Sequence, residues 1–259
     1  MSATLPPIRV TAGALKAVDL FISGDWEQGE RIANGLLASG IPRAAALLLD
    51  DALRFMVHAQ QGRLGAHLER LEMMVAAADA GWETFPAWRV GLLLARVQDG
   101  QIEAVREEMA GLERSLDDVG EPNATFLAFC GVGNLLTSHL EDTENALKFA
   151  RLLEPFTGEW IMIGRIGSTL GPVDLHLGEL QLLAGNEREA ATALERSLAT
   201  CEAMSSAPYL ARSRVALAEA LTRMGNPDGE ERTAELGEAG RRTATELGMQ
   251  PTLQRFPAP

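Results

Sequence analysis

The stretch VGLLLARVQDGQIEAVREEMAGLERSL, residues 90–116, contains two apolar stripes separated by a short polar turn at Gly100-Gln101. The apolar residues before the turn recur at the i, i+3, i+4, i+7 spacing of one helix face: Val90, Leu93, Leu94 and Val97. Those after the turn keep a helical spacing: Ile102, Val105, Met109, Leu112 and Leu116. The stretch therefore predicts a helix, a turn and a second helix.

Similar polar turns recur along the chain at a nearly constant distance. They begin at residues 24, 62, 100, 141, 185 and 225, so successive turns lie 38, 38, 41, 44 and 40 residues apart. One helix pair cannot bury its apolar face alone, whereas a stack of pairs forms a continuous core. The period therefore predicts an all-α chain built from about six stacked helix pairs.

The fifth unit resembles the tetratricopeptide repeat (TPR). Leu177-Gly178, Gly185 and Ala190 fall at the spacings of that consensus. Gly178 and Ala190 are small enough for two helices to approach closely, and Gly185 ends the first helix. The consensus Trp, Tyr and Pro positions differ and hold Asp174, Gln181 and Glu202. The resemblance implies a TPR-like right-handed superhelical solenoid.

Residues 171–249 resemble the C-terminal repeat region of large bacterial regulators with an ATPase core, the LuxR-type and ATPase–cyclase proteins. The matching motifs are Gly171-Pro172-Val173-Asp174, Ala211-Arg212 and Glu246-Leu247-Gly248-Met249. The resemblance implies that the repeats receive a signal from an effector or a partner. The chain has no G-x-x-x-x-G-K-[ST] phosphate loop, no cyclase domain and no basic DNA-reading helix. Only the sensing role is therefore carried over, to a piece of a larger regulator or to a free-standing relative.

The domain boundaries follow from the same pattern. Residues 1–10 are predicted to be a flexible N-terminal arm, 11–250 a single TPR-like domain, and 251–259 a C-terminal tail. An irregular, Gly-rich insertion near 157–171 contains the only strand-like run, Trp160–Ile163. The insertion either covers a ligand groove as a plug or caps a helix pair and fills core, and we favour the second interpretation.

Composition excludes several classes of function. The net charge is −13, from 23 basic and 36 acidic residues, without a Lys/Arg cluster. Direct nucleic-acid binding and binding to anionic lipid are therefore not expected. No apolar run reaches the roughly 18 residues of a membrane span. Two distant cysteines and the lack of a secretion signal predict a cytoplasmic protein.

The binding groove is expected on the concave face, which the first helix of each pair lines in TPR proteins. Counting back from each turn selects a set of mixed charge that suits a peptide or a polar small molecule. The residues are Met56, Gln60, Leu94, Gln98, Ser138, His139, Glu179, Arg212, Glu219 and Arg223. Trp160 and Arg165 of the insertion complete the candidate site.

No catalytic residue, metal site or cofactor is predicted. His176 and Glu179, with Asp174 nearby, could supply metal ligands, but no further ligand is close in sequence, and an ordinary polar helix surface is the favoured interpretation. His58 and His67 flank the second turn and are interpreted as exposed or core-edge residues. Cys130 and Cys201 are interpreted as core residues. The run from Gly164 to Thr169 lacks the lysine of a phosphate loop.

Taken together, these patterns predict an interaction or effector-sensing module of a bacterial transcriptional regulator or signalling protein. Its groove would bind a peptide, a protein partner or a small-molecule effector. The alternative is an enzyme that acts on a small molecule within a helical-repeat scaffold, which would require a cluster of titratable groups in a pocket. A homo-oligomeric scaffold, such as a homodimer, is a third option.

Overall fold

The computed structural model describes residues 6–37, 43–79, 87–117, 125–163, 168–225 and 229–255. Within these ranges the chain forms thirteen α-helices and one two-stranded hairpin. The predicted all-α class is therefore confirmed, with the hairpin as an addition.

The helices α1–α13 follow the chain in order, joined by short connections. They are Pro6–Ser23, Trp26–Leu37, Arg43–Gln61, Leu68–Asp79, Ala87–Gln98, Ile102–Asp117, Phe126–Leu140, Thr143–Leu153, Val173–Leu183, Glu187–Ala203, Ala207–Met224, Glu230–Glu246 and Gln250–Arg255. Two 3-10 turns span Leu64–His67 and Glu154–Phe156, and the strands are β1 (Trp160–Ile163) and β2 (Ser168–Pro172).

Each of the six predicted turns separates two helices. Five of them contain a glycine with positive φ, a conformation that costs glycine little because it lacks a Cβ; these are Gly24, Gly62, Gly100, Gly185 and Gly225. The fourth turn instead places Glu141 at φ 54°. There the next helix is capped by Asp142, whose Oδ1 accepts a 3.1 Å hydrogen bond from the backbone N–H of Asn145.

The N-terminal helices pack against the C-terminal ones. One core cluster unites Phe21 and Leu53 with Tyr209 and Met249, and α1 contacts α11 while α3 contacts α13. The Oγ of Ser206 donates a 3.1 Å hydrogen bond to the carbonyl of Ile22 across this contact. In an open solenoid each repeat touches only its neighbours. Here α1 contacts α11 and α3 contacts α13, so the two ends of the helical array are in direct contact.

The β1–β2 hairpin occupies the predicted insertion and packs inside the protein. A Cβ on Gly131 of α7 would lie 2.9 Å from both Ile161 and Leu170, and one on Gly171 would meet the ring of Tyr209. Ile161 and Leu170 are almost fully buried. These contacts are those of an element that fills core between α7 and α11.

Both predicted chain ends differ from the structure. Helix α1 begins at Pro6 and buries Val10, so residues 6–10 are not an arm; residues 1–5 lie outside the described ranges. The predicted tail contains α13, Gln250–Arg255, which packs on α3 and α12. These short segments gain their stability from tertiary contacts that periodicity does not reveal.

No helix in the described part of the chain is long and apolar enough to cross a membrane.

Candidate functional site

A cavity of about 600 Å³ lies where α7, α9, α11 and α13 meet. Five residues of the predicted groove line it, namely Ser138, His139, Glu179, Arg212 and Arg223. The rest of the lining is Leu135, Glu141, Thr143, Leu182, Leu183, Pro251, Thr252, Gln254 and Arg255. Residues from five helices, α7, α9, α11, α13 and, with Thr143, α8, therefore converge on one space from more than a hundred positions of the chain.

Glu179 of α9 is the charged centre of the site and is 2% exposed. Arg212 of α11 donates from Nε to its Oε1 at 3.2 Å and from Nη2 to its Oε2 at 2.6 Å. Asn134 of α7 donates from Nδ2 to the same Oε2 at 2.6 Å. Such paired donation compensates the loss of hydration that a buried carboxylate suffers.

The ionised form of Glu179 is strongly favoured. Burial alone would raise its pKa, but the positive charges of Arg212 and Arg255 lower it to about 2. The Nη1 of Arg255 lies 3.6 Å from Oε2. Glu179 therefore carries a permanent negative charge near neutral pH.

His176 supports the carboxylate of Glu179 indirectly, because it holds Asn134 in place. The Nε2 of His176 lies 2.8 Å from the carbonyl oxygen of Leu170, which can only accept, so Nε2 carries the proton. Its Nδ1 therefore accepts a 2.9 Å hydrogen bond from Nδ2 of Asn134. Asn134 thus uses its two amide hydrogens on His176 and Glu179, which fixes the orientation of all three groups.

An irregularity of the hairpin makes this support possible. Ile161 pairs with Gly171 and Met162 with Thr169, so the register skips Leu170. A bulged residue is left out of the ladder, and here the carbonyl of Leu170 accepts from His176 instead. Burial lowers the pKa of His176 to about 4, and the charge of Arg212 contributes, so His176 is neutral.

Arg255 closes one side of the cavity from the C-terminal helix α13. Its Nη1 donates to Oγ of Ser138 at 2.6 Å, and its Nη2 donates to the carbonyl of Glu179 at 2.8 Å. Burial lowers the pKa of Arg255, as do the positive charges of Arg212 and Arg223, while Glu179 opposes them. The guanidinium groups of Arg212 and Arg223 therefore both repel that of Arg255.

Arg223 and His139 line other parts of the cavity. The side chain of Arg223 is 46% exposed, and its Nε donates to Oε1 of Glu219 at 2.9 Å. The Nδ1 of His139 lies 2.8 Å from the carbonyl of Leu135, so Nδ1 is protonated. Burial lowers the pKa of His139, with a smaller contribution from the positive charges of Arg255 and Arg212.

Several residues of the predicted groove lie elsewhere. Met56 and Leu94 are fully buried in the core, so neither lines the cavity. Gln60 is also buried, and its Nε2 lies 2.6 Å from the sulfur of Met56. Periodicity assigns an apolar residue to a buried face but does not separate a groove floor from the core.

Gln98 joins two helix pairs instead of facing a groove, because it accepts from the N–H of Leu64 at 3.1 Å and donates to the carbonyl of Ala59 at 2.9 Å. The ring of Trp160 packs edge-on against Tyr209 at 5.8 Å between centroids. Arg165 lies outside the described residues.

The prediction of a polar helix surface at 174–179 is wrong. Asp174, His176 and Glu179 are all at most 2% exposed. The Oδ1 of Asp174 accepts from Nε of Arg196 at 2.7 Å, away from the Glu179 network. Among the described residues no three His, Cys, Asp or Glu side chains are grouped as a metal site.

The remaining titratable candidates lie outside the cavity. His58 and His67 stack with ring centroids 4.4 Å apart, and His58 is buried. Burial lowers the pKa of His58 to about 3, and the neighbouring charges of His67 and Arg63 contribute. Cys130 and Cys201 are fully buried, which confirms their interpretation as core residues.

Sequence reasoning did not predict Asn134 or Arg255 as residues of the site. It also did not predict that His176 supports the site through a hydrogen bond. Asn134 left a signal, because it is a lone amide among apolar residues of α7 (FLAFCGVGNLLTSHL), where an unpaired polar group would be costly. Arg255 gave no such signal, because a helix as short as α13 is too short to show a helical periodicity of apolar residues.

Comparison with known proteins finds no match, since no protein-family model, no curated protein and no solved structure is similar to this chain.

Proposed function

We propose that this chain is an effector-sensing helical repeat module that binds a small polar molecule in the cavity between α7, α9, α11 and α13. The observation that carries the proposal is the convergence of His139, Glu179, Arg212 and Arg223 on one space of about 600 Å³. Small-molecule sites commonly occupy about 300–1,000 Å³ and combine apolar walls with a few fixed polar groups.

The preorganisation of the polar groups supports binding. Glu179 is held by Arg212 and Asn134 at 2.6 Å each, and Asn134 is held in turn by His176. Groups that are fixed before the ligand arrives lose little conformational entropy on binding. The apolar part of the wall is supplied by Leu135, Leu182 and Leu183.

The fold is proposed to be a TPR-like right-handed array of six helix pairs whose two ends are in contact. A protein of this kind would serve a bacterial transcriptional regulator or signalling protein in the cytoplasm, as the resemblance of residues 171–249 implies. The hydrogen bond between Ser206 and Ile22 is one of the contacts that join the two ends. A peptide or protein partner on the outer surface is compatible with this arrangement, as is a homodimer.

An enzyme remains the alternative, and one observation favours it. His139 lines the cavity and is neutral, with its proton on Nδ1, so its Nε2 could accept a proton from a substrate. Glu179 is less suited to that task, because two arginines hold its pKa at about 2. Replacing His139 by Gln would remove turnover in an enzyme, whereas a binding module would keep part of its affinity through Glu179, Arg212 and Arg223.

The test fills the cavity and measures ligand binding. Leu135→Trp places a large ring in the wall, and Leu127→Trp alters a half-buried leucine of the same helix that does not line the cavity. We expect compounds in a metabolite collection to raise the melting temperature of the wild type and of L127W but not of L135W. Equal responses of the two variants, or no response in any protein, would contradict the cavity assignment.

A further inference from the structure

We propose that the cavity recognises a compact oxyanion, the carboxylate or phosphate group of a small polar molecule, through Arg223 and Nη1 of Arg212. This inference rests on the proposed function and specifies the chemical class of its ligand.

The first observation is the charge of the lining. The whole chain carries −13, yet the cavity is lined by three arginines (212, 223 and 255) and only two glutamates (141 and 179). Glu141 and Arg223 are both exposed, so water screens their charges. The less exposed part of the lining sets Arg212 and Arg255 against one carboxylate, that of Glu179, and therefore has an excess of positive charge in an otherwise acidic protein.

The second observation is that Glu179 has no capacity left for another cation. Its two oxygens already accept hydrogen bonds from Arg212 and Asn134, and Arg255 lies 3.6 Å from Oε2. One carboxylate therefore faces two guanidinium groups. A ligand cation would add a third positive charge, whereas a ligand anion would balance the second guanidinium.

The third observation is the availability of donors. Glu179 uses Nε and Nη2 of Arg212, and no described residue accepts a hydrogen bond from its Nη1. Arg223 donates from Nε to Glu219 and from Nη1 to the carbonyl of Leu182, which likewise leaves Nη2 without a described acceptor. The planar guanidinium group matches the oxygens of a carboxylate or phosphate.

The fourth observation is the repulsion that acts on Arg255. Burial lowers the pKa of Arg255, and the charges of Arg212 and Arg223 lower it further. Like charges around a group that is largely buried oppose folding, and groups with shifted pKa values are concentrated at functional sites. A bound oxyanion would relieve this repulsion, so its binding is expected to stabilise the fold.

The experiment compares oxyanions with neutral analogues by isothermal titration calorimetry on the full chain. The probes are succinate against succinamide, and glycerol 3-phosphate against glycerol, at millimolar concentrations. The variant is Arg223→Gln, which is half exposed and should fold. The matched control is Arg232→Gln, because Arg232 is also half exposed and paired with a glutamate, Glu195, but does not line the cavity.

We expect the wild type and R232Q to bind at least one oxyanion at least about tenfold more tightly than its neutral analogue. R223Q should lose about tenfold in affinity for that oxyanion, and added NaCl should weaken binding to the wild type. A preference for succinate assigns a carboxylate ligand, and one for glycerol 3-phosphate assigns a phosphate.

The inference is overturned if neither oxyanion binds, if the neutral analogues bind as tightly, or if R223Q binds like R232Q. The cavity-filling variant L135W shows whether such a result contradicts only the oxyanion ligand or also the proposed function. If neutral compounds bind the wild type but not L135W, the proposal of a sensing module stands and only the proposal of an oxyanion ligand is contradicted. If L135W binds the compounds as the wild type does, both proposals are contradicted.

Discussion

Arg212 of α11 and Glu179 of α9 lie 33 residues apart and form a buried ion pair, with Nη2 2.6 Å from Oε2. Their side chains are 4% and 2% exposed. Removing one partner of a buried pair is far more costly than removing an exposed one, because the remaining charge stays desolvated. The pair is therefore both the structural centre of the cavity and the most sensitive position in it.

Glu179→Gln should destabilise the protein by about 3–5 kcal/mol, because it leaves Arg212 and Arg255 without their buried counter-charge. Urea denaturation measures this loss. The control is Glu195→Gln, which breaks the exposed pair with Arg232 and should cost under about 1 kcal/mol. Similar losses in the two variants would show that the Glu179 network does not hold the helices together.

Stability should fall as the pH decreases from 6.5 towards 4, and His176 should supply part of this fall. Burial lowers the pKa of His176 from 6.5 in the unfolded chain to about 4 in the folded one. Between these values the unfolded state binds the extra proton, so protonation favours unfolding, by on the order of 3 kcal/mol over the whole interval. Above pH 6.5 this contribution to stability is fully present.

His176→Gln should make the pH dependence of the unfolding free energy shallower in that interval. The variant is expected to be less stable at pH 7, because it cannot reproduce both hydrogen bonds to Leu170 and Asn134. Some slope should remain from His58, whose pKa is lowered to about 3. Urea denaturation at a series of pH values measures the slope, and an unchanged slope would exclude His176 as its source.

Arg255→Met should loosen α13 and cost about 1–3 kcal/mol, because Oγ of Ser138 and the carbonyl of Glu179 lose a donor. Hydrogen exchange of the α13 amides should increase. Arg242→Met alters an arginine whose side chain is 62% exposed and should change stability by no more than about 0.5 kcal/mol. Unchanged exchange in R255M would contradict a docked C-terminal helix.

Gly133→Ala should destabilise by about 1–3 kcal/mol or more, because the new Cβ would lie 2.3 Å from the ring of Phe149. In Gly35→Ala the new Cβ in α2 would have no atom of the described residues within 4 Å, and the variant should be more stable by about 0.5–1 kcal/mol, as alanine favours the helix. Thermal denaturation followed by circular dichroism measures both. Loss of stability in G35A, or none in G133A, would contradict this packing.

Much of the site followed from the repeat. Counting back from the turns selected Ser138, His139, Glu179, Arg212 and Arg223, and the structure brings these five to one cavity. The same count selected Met56 and Leu94, which are core residues. Helical spacing places residues on one face, but whether that face meets another helix or an open space depends on what packs against it.

The sequence by itself determined the helices and the six turns, because both are local. A stripe of apolar residues can be recognised within a single helix. A glycine at positive φ, such as Gly185 at 78°, depends only on the conformation of its own turn. The tertiary structure decided the contacts between distant residues. Ser206 meets Ile22 across 184 positions, and Arg255 meets Ser138 across 117. Such pairs carry no periodic signal, since only tertiary packing brings the two residues together.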